Sequence, residues 1–495
     1  MERLGNRLPE PLTLFVLLAV ATALISALFA GLSLEHPVTG DPVVARSLFS
    51  RELMREIVLV GAVRNFTGFA PLGLVLVAMI GIGIAERGGL IPASLRLLLA
   101  GTPRAALSYG VVLAGVLSSF ALDAGYVVVI PIGAALFAQA GRHPVAGLAA
   151  GFAGVSGGFS ANVVVTAVDA LLAGLTTEAA RGFDPSYEVL VTSNLFFMAT
   201  SVLLVVAVGG WVTDRIVEPR LGTWDSGRAD PDAAVERGAE SPRRAERRGL
   251  VAALCALGLV CLLVAVLTLP AEAPLRSDDG GFGPLWRAMV PLILLAFGVP
   301  GIAYGVAVGT IRSDRDVARM GGETMAAMGP YVLLAFAMGQ FVEYFRASNL
   351  GTLCAIAGAD GLRELGLGGT PLLLGFVLVA ALVNLVLGSA SAKWAVMGPV
   401  FVPMLMALGY SPELVQAAYR IGDSITNIVT PLMPYFPIAV AFGRRYDGEL
   451  GIGTLISVMI PYSLAFGLVW GVALGIWTVL GIPLGPGAPL TYPPG

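Results

Sequence analysis

Residues 384–437 read NLVLGSASAKWAVMGPVFVPMLMALGYSPELVQAAYRIGDSITNIVTPLMPYFP, and here polar side chains lie between apolar segments of membrane-spanning length. The polar members are Ser389, Ser391, Lys393, Arg420, Asp423, Ser424, Thr426 and Asn427. An Arg or Asp at the centre of a membrane helix costs about 2.5–3.5 kcal/mol even on lenient insertion scales. Irregular backbone is tolerated at that depth only where protein or a water-filled cavity satisfies it. The stretch therefore predicts the lining of a transport site.

The composition of the chain agrees with a multi-pass membrane protein. Of its 495 residues, 56% are hydrophobic and only 13% are charged, whereas soluble domains carry about 25% charged residues. The mean hydropathy is +0.84. A formal net charge of −3 argues against nucleic acid as a partner.

Apolar segments of spanning length predict the membrane helices. Seven unbroken spans are expected at about 11–31, 67–86, 188–210, 250–269, 286–305, 323–345 and 453–480. Outside them, the sequence predicts an amphipathic helix within 33–56, a short interfacial helix at 90–100 and a polar loop at 213–249 that need not be ordered. Apolar runs with polar or Gly-rich interruptions predict hairpins at 105–138 and 371–406 and broken helices at 144–174 and 413–440.

An internal repeat relates the two hairpin regions. A shift of 268 positions (412 − 144) lays Pro131 on Pro399, Gly141 on Gly409, Pro144 on Pro412, Ala149 and Ala150 on Ala417 and Ala418, Gly154 on Gly422 and Ser156 on Ser424. Two copies inserted from opposite faces of the membrane are typical of inverted repeats, whose site lies near the midplane. The alternative is chance matching of Gly, Ala and Pro in membrane sequence.

Arginine-rich loops predict the orientation of the chain. Arginines cluster within 215–248, 312–319 and 444–445, whereas the loop at 271–284 is richer in acidic residues. An excess of Lys and Arg marks the cytoplasmic side. Counting spans then places the N-terminus inside and the C-terminus outside, provided that both hairpins are re-entrant.

We therefore predict an all-α membrane protein with about nine transmembrane helices plus two re-entrant helical hairpins in inverted repeats. The expected divisions are N-terminal spans for scaffold and dimerisation (1–104), the first repeat of the transport core (105–176), scaffold spans with the cytoplasmic loop 213–249 (177–370), the second repeat (371–440), and a last span with the C-terminal tail (441–495).

The sequence resembles the p-aminobenzoyl-glutamate transporter family over nearly its whole length. The segments that carry the resemblance are GNRLPEPLTLF (5–15), GGFSANVVVTAVDALLAGLT (157–176) and GSASAKWAVMGPVFVPMLMALGYSPELVQAAYRIGDSITNIVTPLMPYFP (388–437). The resemblance implies a homodimer in the bacterial inner (cytoplasmic) membrane, with nine spans and two re-entrant hairpins per protomer. It also implies import of the folate breakdown product p-aminobenzoyl-glutamate, or export of sulfonamide-like antifolates. The first hairpin departs from the family where Ser118, Ser119 and Leu122 precede Asp123, which puts a second ion position there in doubt.

The resemblance also implies the site residues. The family's substrate contacts fall on Asp169, Ser391, Trp394, Pro412, Arg420 and Asp423, and its suggested sodium position falls on Asn384 and Asp423.

The chemistry of Arg420, Asp423 and Trp394 suits an aromatic carboxylate. Arg420 and Asp423 are three residues apart, so a helix places them on one face. The Arg420 guanidinium can grip both oxygens of a carboxylate, although a structural Arg420–Asp423 ion pair is the alternative. Trp394 can stack on an aminobenzoyl ring or be a core or interfacial aromatic.

The remaining candidates each have a structural alternative. Ser389 and Ser391 suit either a bound carboxylate or close helix packing. Asp169 is a lone carboxylate in an apolar run, which suits a proton carrier or a polar residue at a helix end. Asn162, Asn384 and Asn427 offer oxygens to a monovalent cation or bonds between helices. Lys393 is expected to be a snorkelling or hairpin-tip charge.

We expect a secondary active transporter of p-aminobenzoyl-glutamate or sulfonamide-like antifolates, working by alternating access, with a proton or a sodium ion as the coupling ion and no other cofactor. Its partners would be a small aromatic carboxylate, membrane lipid and a second copy of the chain. A sodium-coupled dicarboxylate importer is the alternative, and an ion channel is the alternative from another class. No nucleophile and base stand in a catalytic pattern, so an enzyme is not expected. Transport direction, coupling ion and physiological substrate stay open.

Overall fold

The computed structural model describes residues 10–37, 40–121, 124–224 and 244–492, and within them the chain is predominantly helical. Among the described residues, six helices are long and apolar enough to span a membrane: α1 (Pro11–Leu28), α4 (Ala70–Arg87), α10 (Leu195–Val212, which continues to Leu221), α12 (Arg244–Val266), α14 (Met289–Val308) and α22 (Ile452–Leu480). Two bent pairs raise this number to as many as eight: α5 (Leu90–Ala100) with α6 (Leu107–Leu117), and α15 (Asp314–Ala327) with α16 (Gly329–Ala347). The predicted helical membrane fold is confirmed, and the expected span at 323–345 is the α15–α16 pair, bent by 45°.

The other elements are shorter. The remaining helices are α2 (Arg51–Leu53), α3 (Gly61–Thr67), α7 (Ala124–Gln139), α8 (Pro144–Phe152), α9 (Ala167–Arg181), α11 (Glu218–Leu221), α13 (Gly283–Arg287), α17 (Leu350–Glu364), α18 (Gly369–Asn384), α19 (Ala390–Met406), α20 (Pro412–Asn427) and α21 (Phe436–Arg444). Wider π-helical turns occur at Met54–Leu59, Ala153–Gly157 and Thr213–Val217, and tighter 3-10 turns at Arg104–Ala106 and Ser118–Ala121. Two strands, β1 (Ser33–Glu35) and β2 (Pro42–Val44), form a small antiparallel sheet.

The amphipathic helix predicted within 33–56 is wrong for most of that range. Leu34 pairs with Val43 across the β1–β2 sheet, and Gly40 takes a φ of +73° in the connection. β-Branched residues and a left-handed glycine favour this short hairpin over a helix. A helix begins only at Arg51, where the Ser50 hydroxyl accepts a hydrogen bond from the Leu53 N–H.

The polar loop predicted at 213–249 is also partly wrong. Residues 213–221 extend α10 as further helical turns, and α12 begins at Arg244. Arg142 stabilises these turns, 213–221, because its guanidinium donates to Asp214 and Glu218, which lie one turn apart. The rest of the predicted loop, 225–243, lies outside the described residues, as do Leu122 and Asp123.

The predicted hairpins and broken helices are confirmed. α6 and α7 form the first hairpin, and α18 and α19 form the second. The first broken helix passes from α8 through the π-helical turn to an irregular segment, 161–166, before α9 begins. The second breaks between α20 and α21.

Equivalent residues of the repeat occupy equivalent structural positions. Pro144 and Pro412 are the first residues of α8 and α20, where a missing N–H leaves no helical bond unmade. At Gly154 an added Cβ would stand 2.4 Å from the Val112 carbonyl oxygen on α6, and at Gly422 it would stand 2.4 Å from the Val377 carbonyl oxygen on α18. Each broken helix thus packs backbone to backbone on the first arm of its own hairpin.

Candidate functional site

α20 forms the centre of the candidate site. All 16 of its residues are buried, although its sequence, PELVQAAYRIGDSITN, is rich in polar side chains. Buried polar groups are costly unless they are hydrogen-bonded, and buried charges are costly unless they are paired. The partners of these side chains therefore define the site.

Lys393, Asp423 and Asn384 form a buried charged cluster between α18, α19 and α20. The Lys393 ammonium group is fully buried and donates to Asn384 Oδ1 and to Asp423 Oδ1. Asn427 Nδ2 donates to the second carboxylate oxygen of Asp423 at 3.3 Å. Asn384 Nδ2 lies 2.8 Å from Thr426 Oγ1 and 2.8 Å from Asn427 Oδ1. The structure thus brings together Asn384, Asp423 and Asn427, as the sodium hypothesis requires.

The interpretation of Lys393 as a snorkelling or hairpin-tip charge is wrong. Ser389 caps α19 through a bond from the Ala392 N–H, so Lys393 lies in the first turn of that helix. Its side chain runs inward to Asp423 rather than out to a membrane surface. A charge between Ala392 and Trp394 in an apolar run was itself the signal of an acidic partner, because an unpaired lysine at that depth is costly.

Arg420 and Asp169 form a second buried ion pair that joins the two repeats. Arg420 Nη1 donates to Asp169 Oδ1 at 2.5 Å, and Nη2 donates to the Ser160 carbonyl oxygen at 3.3 Å. The other oxygen of Asp169 accepts bonds of 2.7 Å from the Thr166 N–H and hydroxyl, which begins α9 as a capping box. Arg420 Nε has no partner among the described residues.

The structure overturns the alternative of an Arg420–Asp423 ion pair and the interpretation of Asp169 as a lone carboxylate. Arg420 and Asp423 do not pair with each other, because each contacts an opposite charge on another element, Asp169 and Lys393 respectively. Asp169 is not a lone carboxylate, because it is paired with Arg420 across the repeats.

Trp394 is fully buried beside these pairs. Its ring stacks on Tyr419, with centroids 4.3 Å apart and planes inclined by 27°. Its Nε1–H donates to Thr176 Oγ1 at 2.9 Å, and Thr176 in turn donates to Gln416 Oε1 at 2.6 Å. Tyr419, Thr176 and Gln416 were not among the predicted site residues. The position of Tyr419, an aromatic residue directly before Arg420, could have indicated that it belongs to the site.

The side chains of the other predicted site residues make no hydrogen bond to either ion pair within the part of the chain that the structure describes. Ser391 Oγ is 3.3 Å from the capping Ser389 Oγ at the tip of the second hairpin. Pro412 begins α20 eight residues before Arg420, about 12 Å along the helix axis. Asn162 accepts a bond from Ser119 Oγ, and its Nδ2 has no partner among the described residues.

Two cavities lie beside the first repeat. Asn162 and Asp169 line a cavity of about 10 Å³ together with Val164 and Val165. The same two valines also line a cavity of about 1170 Å³, whose other walls are mainly apolar side chains of α5, α12 and α14. A cavity of this size has room for an aromatic molecule, but none of the predicted site residues lines it.

Comparisons with known proteins agree along the whole chain. The family described as the AbgT putative transporter family matches residues 1–492. The p-aminobenzoyl-glutamate transport protein of Escherichia coli (strain K12) is 38% identical over 494 residues, which are 98% of this chain and 95% of that protein.

Two solved structures share the fold. The Alcanivorax borkumensis YdaH transporter, described as having an unusual topology, is 44% identical with a TM-score of 0.91, and the match covers 97% of this chain and 100% of that one. Neisseria gonorrhoeae MtrF, described as illuminating a class of antimetabolite efflux pumps, is 44% identical with a TM-score of 0.92 over 99% of each chain.

Proposed function

The chain belongs to the AbgT transporter family, and on that premise we propose that it moves p-aminobenzoyl-glutamate, exports sulfonamide-like antimetabolites, or does both, by ion-coupled alternating access. The names of its Escherichia coli and Neisseria gonorrhoeae relatives support these substrates. One observation carries the proposal: the wholly buried helix α20 contributes to two buried ion pairs. Its Arg420 pairs with Asp169, and its Asp423 pairs with Lys393.

Arg420 is the proposed anchor for a substrate carboxylate. Its guanidinium already holds a carboxylate, that of Asp169, and keeps Nε free of partners among the described residues. A substrate carboxylate can exchange with Asp169 or join it at the unpaired edge, because a guanidinium offers donors on two sides.

The aromatic ring of the substrate is proposed to contact Trp394. The stacked Trp394–Tyr419 pair supports this role because it places two aromatic rings within the buried site, with Tyr419 directly before Arg420 on α20. Ser389, Ser391 and Pro412 are proposed contacts at the hairpin tip and at the start of α20, and Asp423 is proposed to orient the polar end of the substrate.

A proton or a sodium ion is proposed as the coupling ion. Asp169 is the candidate proton carrier because its carboxylate can separate from Arg420 and bind a proton when the repeats move. The oxygens of Asn162, Asn384, Asp423 and Asn427 are the candidate ligands of sodium, with Asn384 and Asp423 as its core. Moving one charge across 100 mV supplies about 2.3 kcal/mol.

We further propose how the molecule is divided and placed. Residues 105–176 and 371–440 form the transport core, while 1–104, 177–370 and 441–495 form the scaffold. The chain is proposed to be a homodimer in the bacterial inner membrane, with its N-terminus in the cytoplasm. Exposed apolar side chains along α12 and α22, among them Leu254, Leu262, Leu464 and Leu468, suit contact with lipid or a second copy.

Counterflow in proteoliposomes tests the function. Purified protein is reconstituted, loaded with unlabelled p-aminobenzoyl-glutamate and exposed to labelled substrate, first without a gradient and then under a sodium or a pH gradient alone. Accumulation that requires internal substrate supports a transporter. Accumulation driven by succinate instead favours a dicarboxylate importer, and ion current without substrate turnover favours a channel.

A further inference from the structure

The cavity of about 1170 Å³ between α5, α12 and α14 is a groove that opens onto the surface of the molecule. Leu97, Val251 and Leu254 line it, and these residues are 45%, 62% and 69% exposed. Exposed apolar surface of this extent marks a contact with membrane or with another protein. Since α12 and α14 are both long and apolar enough to span a membrane, the groove faces the hydrocarbon of the bilayer.

The walls of the groove offer few partners to a polar ligand. The Ser94 hydroxyl lines the groove but donates to the Leu90 carbonyl oxygen within α5 at 2.9 Å. The Cys261 thiol, also in the wall, is only a weak donor. Carboxylate and amide groups need hydrogen-bond partners when they leave water, so these walls suit hydrocarbon chains rather than p-aminobenzoyl-glutamate.

One end of the groove is charged. Arg247 is the one charged side chain among the described residues that line the groove, and Val264 lies at the other end of its α12 wall. These two residues are 17 positions apart (264 − 247), about 26 Å along the helix axis. The hydrocarbon core of a bilayer is about 30 Å thick, so the chains of one phospholipid reach about halfway. The half of the groove next to Arg247 therefore matches a phospholipid in length and in polarity.

The charges at this end favour an anionic headgroup. Arg244, Arg247 and Arg248 are exposed in the first two turns of α12, and none forms an ion pair with an acid among the described residues. The acid in the same turns, Glu246, lies 2.8 Å from Arg96 of α5, which balances its charge. Basic clusters beside a membrane helix attract anionic lipids, and a guanidinium can grip two oxygens of a phosphate.

We propose that the groove binds one anionic phospholipid per chain, whose phosphate contacts Arg247 and whose acyl chains lie along α5, α12 and α14. The site takes up neither the transported substrate nor the coupling ion, so the inference goes beyond the proposed function and can fail independently of it. A second copy of the chain is the competing occupant of the groove, and the experiment separates the two.

Native mass spectrometry of the full-length protein, purified in detergent and freed of lipid, tests the headgroup. Dioleoyl phosphatidylglycerol is compared with dioleoyl phosphatidylcholine, which has the same chains and no net charge. The wild type is expected to retain one phosphatidylglycerol at a concentration at which it retains little phosphatidylcholine. Arg247→Gln is expected to weaken the affinity for phosphatidylglycerol about fivefold. Arg248→Gln, at an exposed position outside the groove lining, is the matched control and should change it less.

A second pair of variants tests the groove itself. Leu254→Trp places a larger side chain in the half next to Arg247 and is expected to lose the bound phosphatidylglycerol. Leu259→Trp, on the same helix at a 64% exposed position outside the lining, should retain it. Equal retention of the two lipids by the wild type overturns the proposal, and so do equal losses for Arg247→Gln and Arg248→Gln. Retention of phosphatidylglycerol by Leu254→Trp also overturns it, and a dimer that dissociates in that variant would assign the groove to a second copy.

Discussion

Arg420 holds two oxygens of the first repeat at once, the carboxylate of Asp169 and the carbonyl of Ser160. A lysine would keep the charge but present one point rather than a fork. We expect Arg420→Lys to lose one charged hydrogen bond, about 1.5–3 kcal/mol, and to weaken substrate affinity roughly tenfold to a hundredfold. Labelled p-aminobenzoyl-glutamate uptake measures the change. Arg319→Lys, at an exposed ion pair, is the matched control, and wild-type affinity in Arg420→Lys would contradict carboxylate binding there.

Trp394 combines a stacking contact with one hydrogen bond. Trp394→Phe keeps a ring against Tyr419 and loses the bond to Thr176, whereas Trp394→Ala loses both. If the ring stacks on the substrate, Ala should weaken affinity more than Phe by about 0.5–1.5 kcal/mol. Trp470, buried and bonded to Ser201, is the control for packing alone. Equal losses for Ala and Phe at Trp394, with unchanged Tm, would assign the ring to packing.

Asp169 is the residue whose charge the coupling hypothesis depends on. Asp169→Asn can still accept the capping bonds of Thr166, so α9 should persist, but it cannot carry a proton. We expect loss of accumulation under a pH gradient while substrate binding remains. If sodium drives transport instead, Asn384→Ala should remove the sodium dependence and Asp169→Asn should be tolerated. Asp360→Asn, at an exposed ion pair, controls for the loss of a charge. Undiminished coupled transport by Asp169→Asn under both gradients would reject the proton-carrier role.

The sequence could identify these residues but not their partners. Asp169, Arg420 and Asp423 stood out because charges are rare in apolar runs. Spacing along α20 gives the face on which Arg420 and Asp423 lie, yet Arg420 contacts a residue 251 positions away. No local pattern specifies that pairing, and Lys393 was misread because its acid lies 30 positions further on in another helix.

At the scale of elements, two glycines set how closely the broken helices approach the hairpins. Gly154→Ala and Gly422→Ala would each place a Cβ 2.4 Å from a backbone carbonyl oxygen of α6 or α18. Because backbone cannot move aside as a flexible side chain can, we expect each to lower stability by about 1–3 kcal/mol. Thermal unfolding in detergent measures this as a lower Tm. Gly375→Ala on α18, where an added Cβ meets nothing within 4 Å, should be neutral or stabilising. A similar Tm for all three variants would contradict the close approach.

The sequence predicts secondary-structure elements correctly where the length and apolar character of a segment determine them. The long helices and the Pro and Gly positions of the repeat are local signals, so they could be read directly. Strands of three residues, β1 and β2, are too short to show a period of two. The helical turns at 213–221 depend on Arg142 from a distant loop, which a local pattern does not reveal.

At the scale of the whole molecule, the distribution of arginine predicts which loops face the cytoplasm. Transfer of short, basic loops across the membrane is disfavoured, so they stay inside. The loop at 271–284, which is acidic, should therefore lie outside, and the basic segments 312–319, at the start of α15, and 444–445, at the end of α21, should lie inside. This arrangement requires an odd number of crossings between 271–284 and 312–319, which α14 alone supplies.

Cysteine labelling in intact cells tests that orientation. Cys255, Cys261 and Cys354 are unpaired and exposed, so they are first replaced by serine. Single cysteines are then introduced as Glu272→Cys, Ala318→Cys and Gly448→Cys, at exposed loop or helix-surface positions. A membrane-impermeant maleimide should label only Glu272→Cys in intact cells and all three after permeabilisation. Labelling of Ala318→Cys and Gly448→Cys without Glu272→Cys in intact cells would indicate the opposite orientation of the chain in the membrane. Labelling of Ala318→Cys without Gly448→Cys would contradict the predicted arrangement, because the chain between these two positions would then cross the membrane an odd number of times instead of an even number.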